Sequence, residues 1–284
     1  MPSSDAAQVA IYVHVPFCPS KCGYCDFNSY ALSGAIVDRT TDATLSEIAV
    51  SPWRGTPAKT IFFGGGTPTS LPAERLVELL HAVIETHPPI DGCEITSEAN
   101  PGTVDASKFA EMRAGGFNRI SIGAQSFDNQ ELARLDRIHE ANDIERALQA
   151  ARAAGFDNVN LDLMFGLPQQ SPVGWKRNLE RAIELRPDHL SLYGLTIEPN
   201  TRFYKEQSQG KLELPDDDAM VRMYDFSLAA TAAAGYEAYE ISNFAQSGRE
   251  CAHNLCYWRH EPYVGYGPGA VGCMDGGNVP GAPQ

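Results

Sequence analysis

Six times between Val9 and Ala234, a short run of strand-forming residues gives way to a loop and then to a stretch of helical period. That alternation constrains the fold more than any other feature of the chain. Strands separated by helices run parallel and are joined by right-handed crossovers. The first, Val9 to Val15, is apolar on both faces, as a strand buried between layers must be. Further strands are expected at Thr60–Phe63, Cys93–Thr96, Arg119–Ile122, Asn158–Leu163 and His189–Leu195. Helices are expected at Ile36–Val50, Ala106–Ala114, Asn142–Ala154 and Asp216–Ala234, with Gly155 and Gly235 as stops. One more should follow Ser70 as N-cap, carrying Leu76, Leu79, Leu80, Val83 and Ile84 on one face, and another should follow Ser171-Pro172.

Six such units are too few to close an eight-stranded barrel. The fold class is therefore α/β, a partial (β/α)6 barrel, with a doubly wound sheet as the alternative. Residues 1–8 read as a disordered N-terminus, 9–235 as the barrel, and 236–270 as the start of a C-terminal region. That region is aromatic, glycine-rich and without helical period, so a short β extension over the barrel mouth is expected. Residues 271–284 read as a divergent, disordered tail.

Barrels of this kind place working residues at the C-terminal ends of their strands. Here the first strand ends at a loop holding Cys18, Cys22 and Cys25, and the second at Gly64-Gly65-Gly66-Thr67. The third ends at Glu98, the fourth at Gln125, the fifth at Asp162, and the sixth at Tyr193 to Thr196. Polar or cofactor-capable chemistry at every strand end points to one site at the mouth.

The thiols are spaced C-x3-C-x2-C. Three thiolates on one short loop can hold three irons of a [4Fe–4S] cube and leave the fourth iron open to a small chelating cofactor. A structural zinc, with His14 or a distant cysteine as fourth ligand, is the competing reading. The glycines let a backbone approach a ligand closely, and exposed N–H groups there would take a carboxylate. Glu98 and Asp162 suit ribose hydroxyls or an amino group. Arg137 and His139 read as a solvated connection between helices, and Cys93 as a core residue.

Composition excludes more than it identifies. The net charge of −14 argues against nucleic acid. Seven cysteines, an odd number with three clustered, are no disulfide framework. No apolar run approaches the ~18 residues of a membrane span and no secretory signal is visible, so a cytoplasmic protein is expected.

Several separate motifs carry a resemblance over about residues 11–270. The cysteine loop, with Tyr24 before its last Cys, resembles the signature of the radical S-adenosylmethionine (SAM) superfamily. Gly64-Gly65-Gly66-Thr67-Pro68-Thr69 resembles that superfamily's glycine motif for the SAM amino group and carboxylate. Tyr12 to Cys18, Tyr-x-His-x-Pro-Phe-Cys, is similar to the branch containing oxygen-independent coproporphyrinogen III oxidase and its relatives. The resemblance implies Cys18, Cys22 and Cys25 as cluster ligands. It implies Tyr12, Tyr24, Gly65, Gly66, Thr67, Glu98, Gln125, Arg137, Asp162 and Thr196 as the SAM site.

Two departures bear on function. The decarboxylating oxidases carry another cysteine two residues after the third, where this chain has Phe27. His253-Asn254-Leu255-Cys256-Tyr257-Trp258 is similar to the H-N-x-x-Y-W motif of the branch's heme chaperones. The resemblance thus implies a heme carrier rather than an oxidase, with His253 as a heme contact assisted by Cys251 and Cys256. The alternative is His253 hydrogen-bonded beneath Tyr257 and Trp258. Its partners would be heme and heme-acceptor proteins, including respiratory ones, with room for transient membrane association and a homodimer. A heme-degrading radical SAM enzyme is a third reading. A third departure follows Ala270, where the family continues with a histidine and a further domain; a truncated or frame-shifted product is the expectation there.

Overall fold

The computed structural model describes residues 8–274. Strands β1 (Val9–Val15), β2 (Ala58–Gly65), β3 (Pro89–Ala99), β4 (Arg119–Gln125), β5 (Val159–Phe165) and β6 (His189–Gly194) are parallel neighbours in order of sequence. This unreversed order lacks the switch point of a doubly wound sheet. It is the order of a partial barrel.

Helices α1 (Ala35–Ala49), α2 (Ala73–Thr86), α3 (Ala106–Ala114), α5 (Ala141–Ala153), α6 (Pro172–Glu184) and α8 (Asp217–Ala233) are the crossover helices expected from periodicity. In α2, Leu76, Leu79, Leu80 and Val83 are buried at the spacing of one helical face. The side chains of Ser171 and Asp216 cap α6 and α8 by accepting from Gly174 and Ala219 backbone N–H groups. Gly155 and Gly235 adopt φ of 90° and 86° just past α5 and α8, the left-handed conformation that ends a helix. Ser70 is not a cap: Pro68–Ser70 forms a 3-10 turn, and α2 begins after Pro72.

Three short helices escaped the periodicity. They are α4 (Asn129–Arg134), α7 (Arg202–Ser208) and α9 (Ala252–Trp258), each too short to show a repeating face. The C-terminal region also differs from a simple extension over the mouth. Strands β7 (Glu237–Ala238) and β8 (Asn243–Ala245) join antiparallel beside β6, whereas β9 (Tyr263–Tyr266) pairs parallel with β1. The region thus extends both edges of the sheet and carries a helix, making nine strands among the described residues. Cys273 is tied to Tyr263 by two main-chain hydrogen bonds of 2.8 Å, so the segment expected as a tail from residue 271 starts with a bridge. The remainder of that segment, and residues 1–7 of the expected disordered N-terminus, lie outside the described residues. No helix among the described residues is long and apolar enough to cross a membrane.

Candidate cluster and cofactor site

The C-terminal strand ends enclose a cavity of about 330 Å³. Cys18, Cys22 and Cys25 line it together with Tyr24, Gly65, Gly66, Thr67, Glu98, Gln125, Arg137, Asp162 and Thr196. Of the residues singled out in the sequence, Tyr12, Cys251 and His253 instead line a second, smaller chamber of about 130 Å³, which shares Glu98, Ser121, Asp162 and Tyr193 with the first.

The cysteine loop is fixed from several sides. Cys18 N–H donates to the Tyr30 carbonyl at 3.0 Å, and Lys21 Nζ donates to Phe27 O, Ser29 O and Ser29 Oγ. Gly23 N–H donates to Leu135 O at 3.3 Å, and Gly23 O accepts from Phe203 N–H at 2.9 Å. A Cβ on Gly23 would stand 2.6 Å from Arg202 Nη2, so only glycine lets the guanidinium lie against the loop. The sulfurs receive donors: Thr67 Oγ1 reaches Cys18 Sγ at 3.5 Å, and Arg137 Nη1 reaches Cys22 Sγ at 3.7 Å. Burial raises the Cys25 thiol.

The zinc reading lacks its histidine. His14 Nε2 donates to the Asn28 carbonyl at 2.8 Å, and its Nδ1 accepts from the Tyr12 hydroxyl at 3.1 Å. Both ring nitrogens are thereby used. Among the described residues no three His, Cys, Asp or Glu groups converge as they would on a single metal ion.

The glycine run works differently from the expectation of free N–H donors. Gly65 N–H donates to Glu98 Oε2 at 3.2 Å, Gly66 N–H to Val15 O at 2.8 Å, and Thr67 N–H to Phe17 O at 2.7 Å. Those donors are spent inside the protein. What the run supplies is the absence of side chains: a Cβ on Gly66 would lie 2.5 Å from Phe17 O.

Two carboxylates face the cavity. Glu98 is pushed up to about 8 by burial and by the nearby Asp162 charge, against the Gly65 hydrogen bond. Burial also raises Asp162, opposed by donors from Ser121 Oγ at 2.9 Å and Asn160 Nδ2 at 2.8 Å. Asn160 is oriented in turn by His189 Nδ1, which donates to its Oδ1 at 2.7 Å. Gln125 sits at φ 65° where β4 breaks register, a left-handed conformation that turns the chain off the strand.

Arg137 and His139 are not a solvated face. Arg137 is half-buried, with Nη2 donating to Gly123 O at 2.7 Å, and its buried Nε finds no partner among the described residues. His139 is buried, hydrogen-bonded to Ala124 O at 3.1 Å, and lowered to about 4, chiefly by that burial.

His253 is 2% exposed and forms a structural bridge. Its Nδ1 lies 2.8 Å from Thr60 Oγ1 and its Nε2 lies 2.9 Å from the Tyr257 hydroxyl. The ring stacks on Phe62 at 5.0 Å, and burial lowers its pKa to about 3. Both ring nitrogens are thus hydrogen-bonded within the protein, the arrangement expected of the alternative in which His253 lies beneath its aromatic neighbours. Cys251 Sγ points to Glu94 Oε1 at 3.4 Å, and Cys256 Sγ to Ala252 O at 3.1 Å. Glu94 also accepts the Ala252 and His253 N–H groups at 3.1 Å, anchoring α9 to β3. Lys21, Glu94, Arg119, Asn160, His189 and Arg202 went unnoticed in the sequence. Arg119 and His189 carried the same faint signal, a polar side chain opening a buried strand.

The model of the radical SAM superfamily matches residues 12–182. The heme chaperone HemW of Escherichia coli (strain K12) is 45% identical over 93% of this chain and 70% of its own length. HemW of Bacillus subtilis (strain 168) is 41% identical over 93% and 71%. The mitochondrial radical S-adenosyl methionine domain-containing protein 1 of Mus musculus is 39% identical over 95% and 62%. Among solved structures, coproporphyrinogen III oxidase (HemN) from Escherichia coli superposes with a TM-score of 0.82 at 26% identity. That match covers 94% of this chain and 64% of HemN. The chain belongs to the radical SAM superfamily, and within it to the HemW branch related to oxygen-independent coproporphyrinogen III oxidase.

Proposed function

We propose that this protein is a heme carrier that holds a [4Fe–4S] cluster and SAM at the barrel mouth and passes heme to acceptor proteins. The observation that carries this reading is the cysteine loop itself: three thiols at the cavity edge, then Phe27 where the oxidases have a further cysteine. Similarity to HemW supports the same side. The proposed compartment is the cytoplasm, with respiratory heme proteins among the acceptors.

Cys18, Cys22 and Cys25 are assigned as cluster ligands. Tyr12, Tyr24, Gly65, Gly66, Thr67, Glu98, Gln125, Arg137, Asp162 and Thr196 are assigned to SAM. The donor set fits: soft thiolates for iron, a close-approach glycine run, a half-buried arginine with a spare Nε, and two carboxylates. When bound, the cluster supplies a reducing electron and an open iron for SAM's amino and carboxylate groups. The chain's own residues bind and orient. Arg137 and Thr67 donate to the ligand sulfurs. Glu98 and Asp162 present acceptors for an ammonium or ribose hydroxyls. Tyr12 lines the adjoining smaller chamber beside Glu98, with its hydroxyl bonded to His14.

The second reading, coproporphyrinogen III oxidation, is favoured by the TM-score of 0.82 to HemN. Anaerobic incubation of reconstituted protein with SAM, reductant and either coproporphyrinogen III or heme separates the two. Stable heme binding without porphyrin turnover is expected. Appearance of protoporphyrinogen would establish the oxidase instead.

A further inference from the structure

Three loops of the barrel mouth meet at one guanidinium. Arg202, the first residue of α7, follows the β6 loop that brings Thr196 and Glu198 to the cavity. Its Nη2 donates to the Arg134 carbonyl at the end of α4, at 2.8 Å, and its Nε donates to Asp136 Oδ2 at 3.0 Å. The same guanidinium lies against Gly23, between Cys22 and Tyr24, where a Cβ would stand 2.6 Å from Nη2 and 2.8 Å from Nε. Beside it, Phe203 N–H donates to Gly23 O at 2.9 Å, and the Phe203 ring is buried against Tyr24, Leu135 and Met164.

Asp136 is an uncommon residue for its place in the chain. Helix α4 closes with the paired main-chain bonds that end many helices, Asp136 N–H to Ala133 O at 3.1 Å and Arg137 N–H to Leu132 O at 3.0 Å. Asp136 takes the left-handed position of that turn at φ 59°, where glycine is the usual residue. Among the described residues its carboxylate is met by Arg202 alone. With side chains 41% and 45% exposed, the pair adds little to stability. What it fixes is direction. The next residue of the turn is Arg137, whose Nη1 points at Cys22 Sγ from 3.7 Å. Gly123 O anchors the head of Arg137, and Arg202 anchors its backbone and the glycine beside Cys22.

We propose that Arg202 is a positioning residue for the cluster: through Asp136 and Gly23 it holds the Arg137 guanidinium at the Cys22 sulfur. The proposal rests on the assignment of Cys22 as a cluster ligand and adds a residue outside the cavity. No bond forms or breaks; the contact selects one orientation of Arg137 relative to the cysteine loop.

The test is a mutant cycle read as cluster midpoint potential, by dye-mediated titration of reconstituted protein without SAM, followed by electron paramagnetic resonance of the reduced cluster. A donor and cation at a ligand sulfur raise the potential, so Arg202→Met should lower it. The reduced-to-oxidised ratio at fixed ambient potential should change by roughly threefold, or about 28 mV at 59 mV per tenfold. In an Arg137→Gln background the same substitution should add no further shift, because the contact it positions is gone. Equal shifts in both backgrounds mark the lost Arg202 charge acting directly and overturn the proposal. So does an unmoved potential in a variant that melts early, the mark of a merely structural clamp. Asp136→Asn decides by sign, since asparagine keeps the left-handed turn. Losing a negative charge by itself raises the potential, whereas releasing Arg137 lowers it. A fall is expected; a rise or no change overturns the proposal. Where Arg202→Met loads no cluster, Asp136→Asn is read alone on the same terms. Wild type that takes up no four-iron cluster would overturn the ligand assignment and this proposal with it, a result distinct from a loaded wild type whose variant shifts add.

Discussion

Arg137 Nη1 points at Cys22 Sγ from 3.7 Å while Nη2 of the same guanidinium donates to the Gly123 carbonyl at 2.7 Å. The second bond fixes the first. A strand end is thereby rigidly coupled to a thiol assigned to the cluster, and a positive charge is held beside the sulfur.

A donor and a cation next to a ligand sulfur stabilise the more negative, reduced cluster and so raise its potential. Arg137→Gln should lower the midpoint potential on the order of 50 mV, measured by a dye-mediated titration without SAM. Arg137→Lys, which keeps the charge but loses the anchored fork, should fall between. An unchanged potential in Arg137→Gln would detach this residue from the cluster.

Six of the seven cysteines should divide cleanly in an iron assay. Cys18→Ser, Cys22→Ser and Cys25→Ser should each lose four-iron content and visible absorbance after reconstitution. Cys93→Ser, Cys251→Ser and Cys256→Ser should retain both, because these buried thiols lie away from the loop, and burial pushes Cys93 and Cys251 up to about 12. Full iron in any loop variant would reassign the ligands.

Glu98 gives the cofactor-free protein a pH signature. Its ordinary value of 4.5 is raised to about 8 on folding, first by burial and then by the Asp162 charge. The native state therefore binds this proton more tightly than the unfolded chain does. Stability falls as pH rises from about 4.5 to about 8, with a slope from this group of at most about 1.4 kcal/mol per pH unit. Denaturant unfolding of wild type against Glu98→Gln should show the difference narrowing at low pH and the variant gaining as pH rises. A constant difference across that window would mean Glu98 is ionised throughout.

How much of this was legible depends on how local each signal is. The parallel units announced themselves because apolar strands and one-faced helices such as Leu76 to Val83 repeat in sequence. The mouth residues followed from strand ends, and nine of those assigned to SAM do converge on one cavity. The long-range part was silent. Helix α9 has no period to detect and is anchored by Glu94, 158 residues before Ala252. That β9 would add beside β1 depends on register between distant segments, which no window reveals. The glycine run shows the same limit: its composition announced close approach, but not that Phe17 and Val15 take the N–H groups.

His253 tests how the H-N-x-x-Y-W run works. The ring links Thr60 on β2 to Tyr257 on α9 and stacks on Phe62, so it fastens the C-terminal helix to the barrel. Removing it leaves two hydroxyls without their partner, at a cost of about 1–3 kcal/mol each where buried. His253→Ala should therefore lower the melting temperature by several degrees, since a domain of this size shifts roughly 2–4 °C per kcal/mol. Heme affinity per folded molecule should stay within about twofold, because both ring nitrogens are hydrogen-bonded within the protein. The measurement is a Soret titration alongside a thermal melt. Loss of the Soret band in a variant that melts like wild type would make His253 an iron ligand after all. A variant that melts early yet binds heme normally would assign the motif to holding α9 against the smaller chamber.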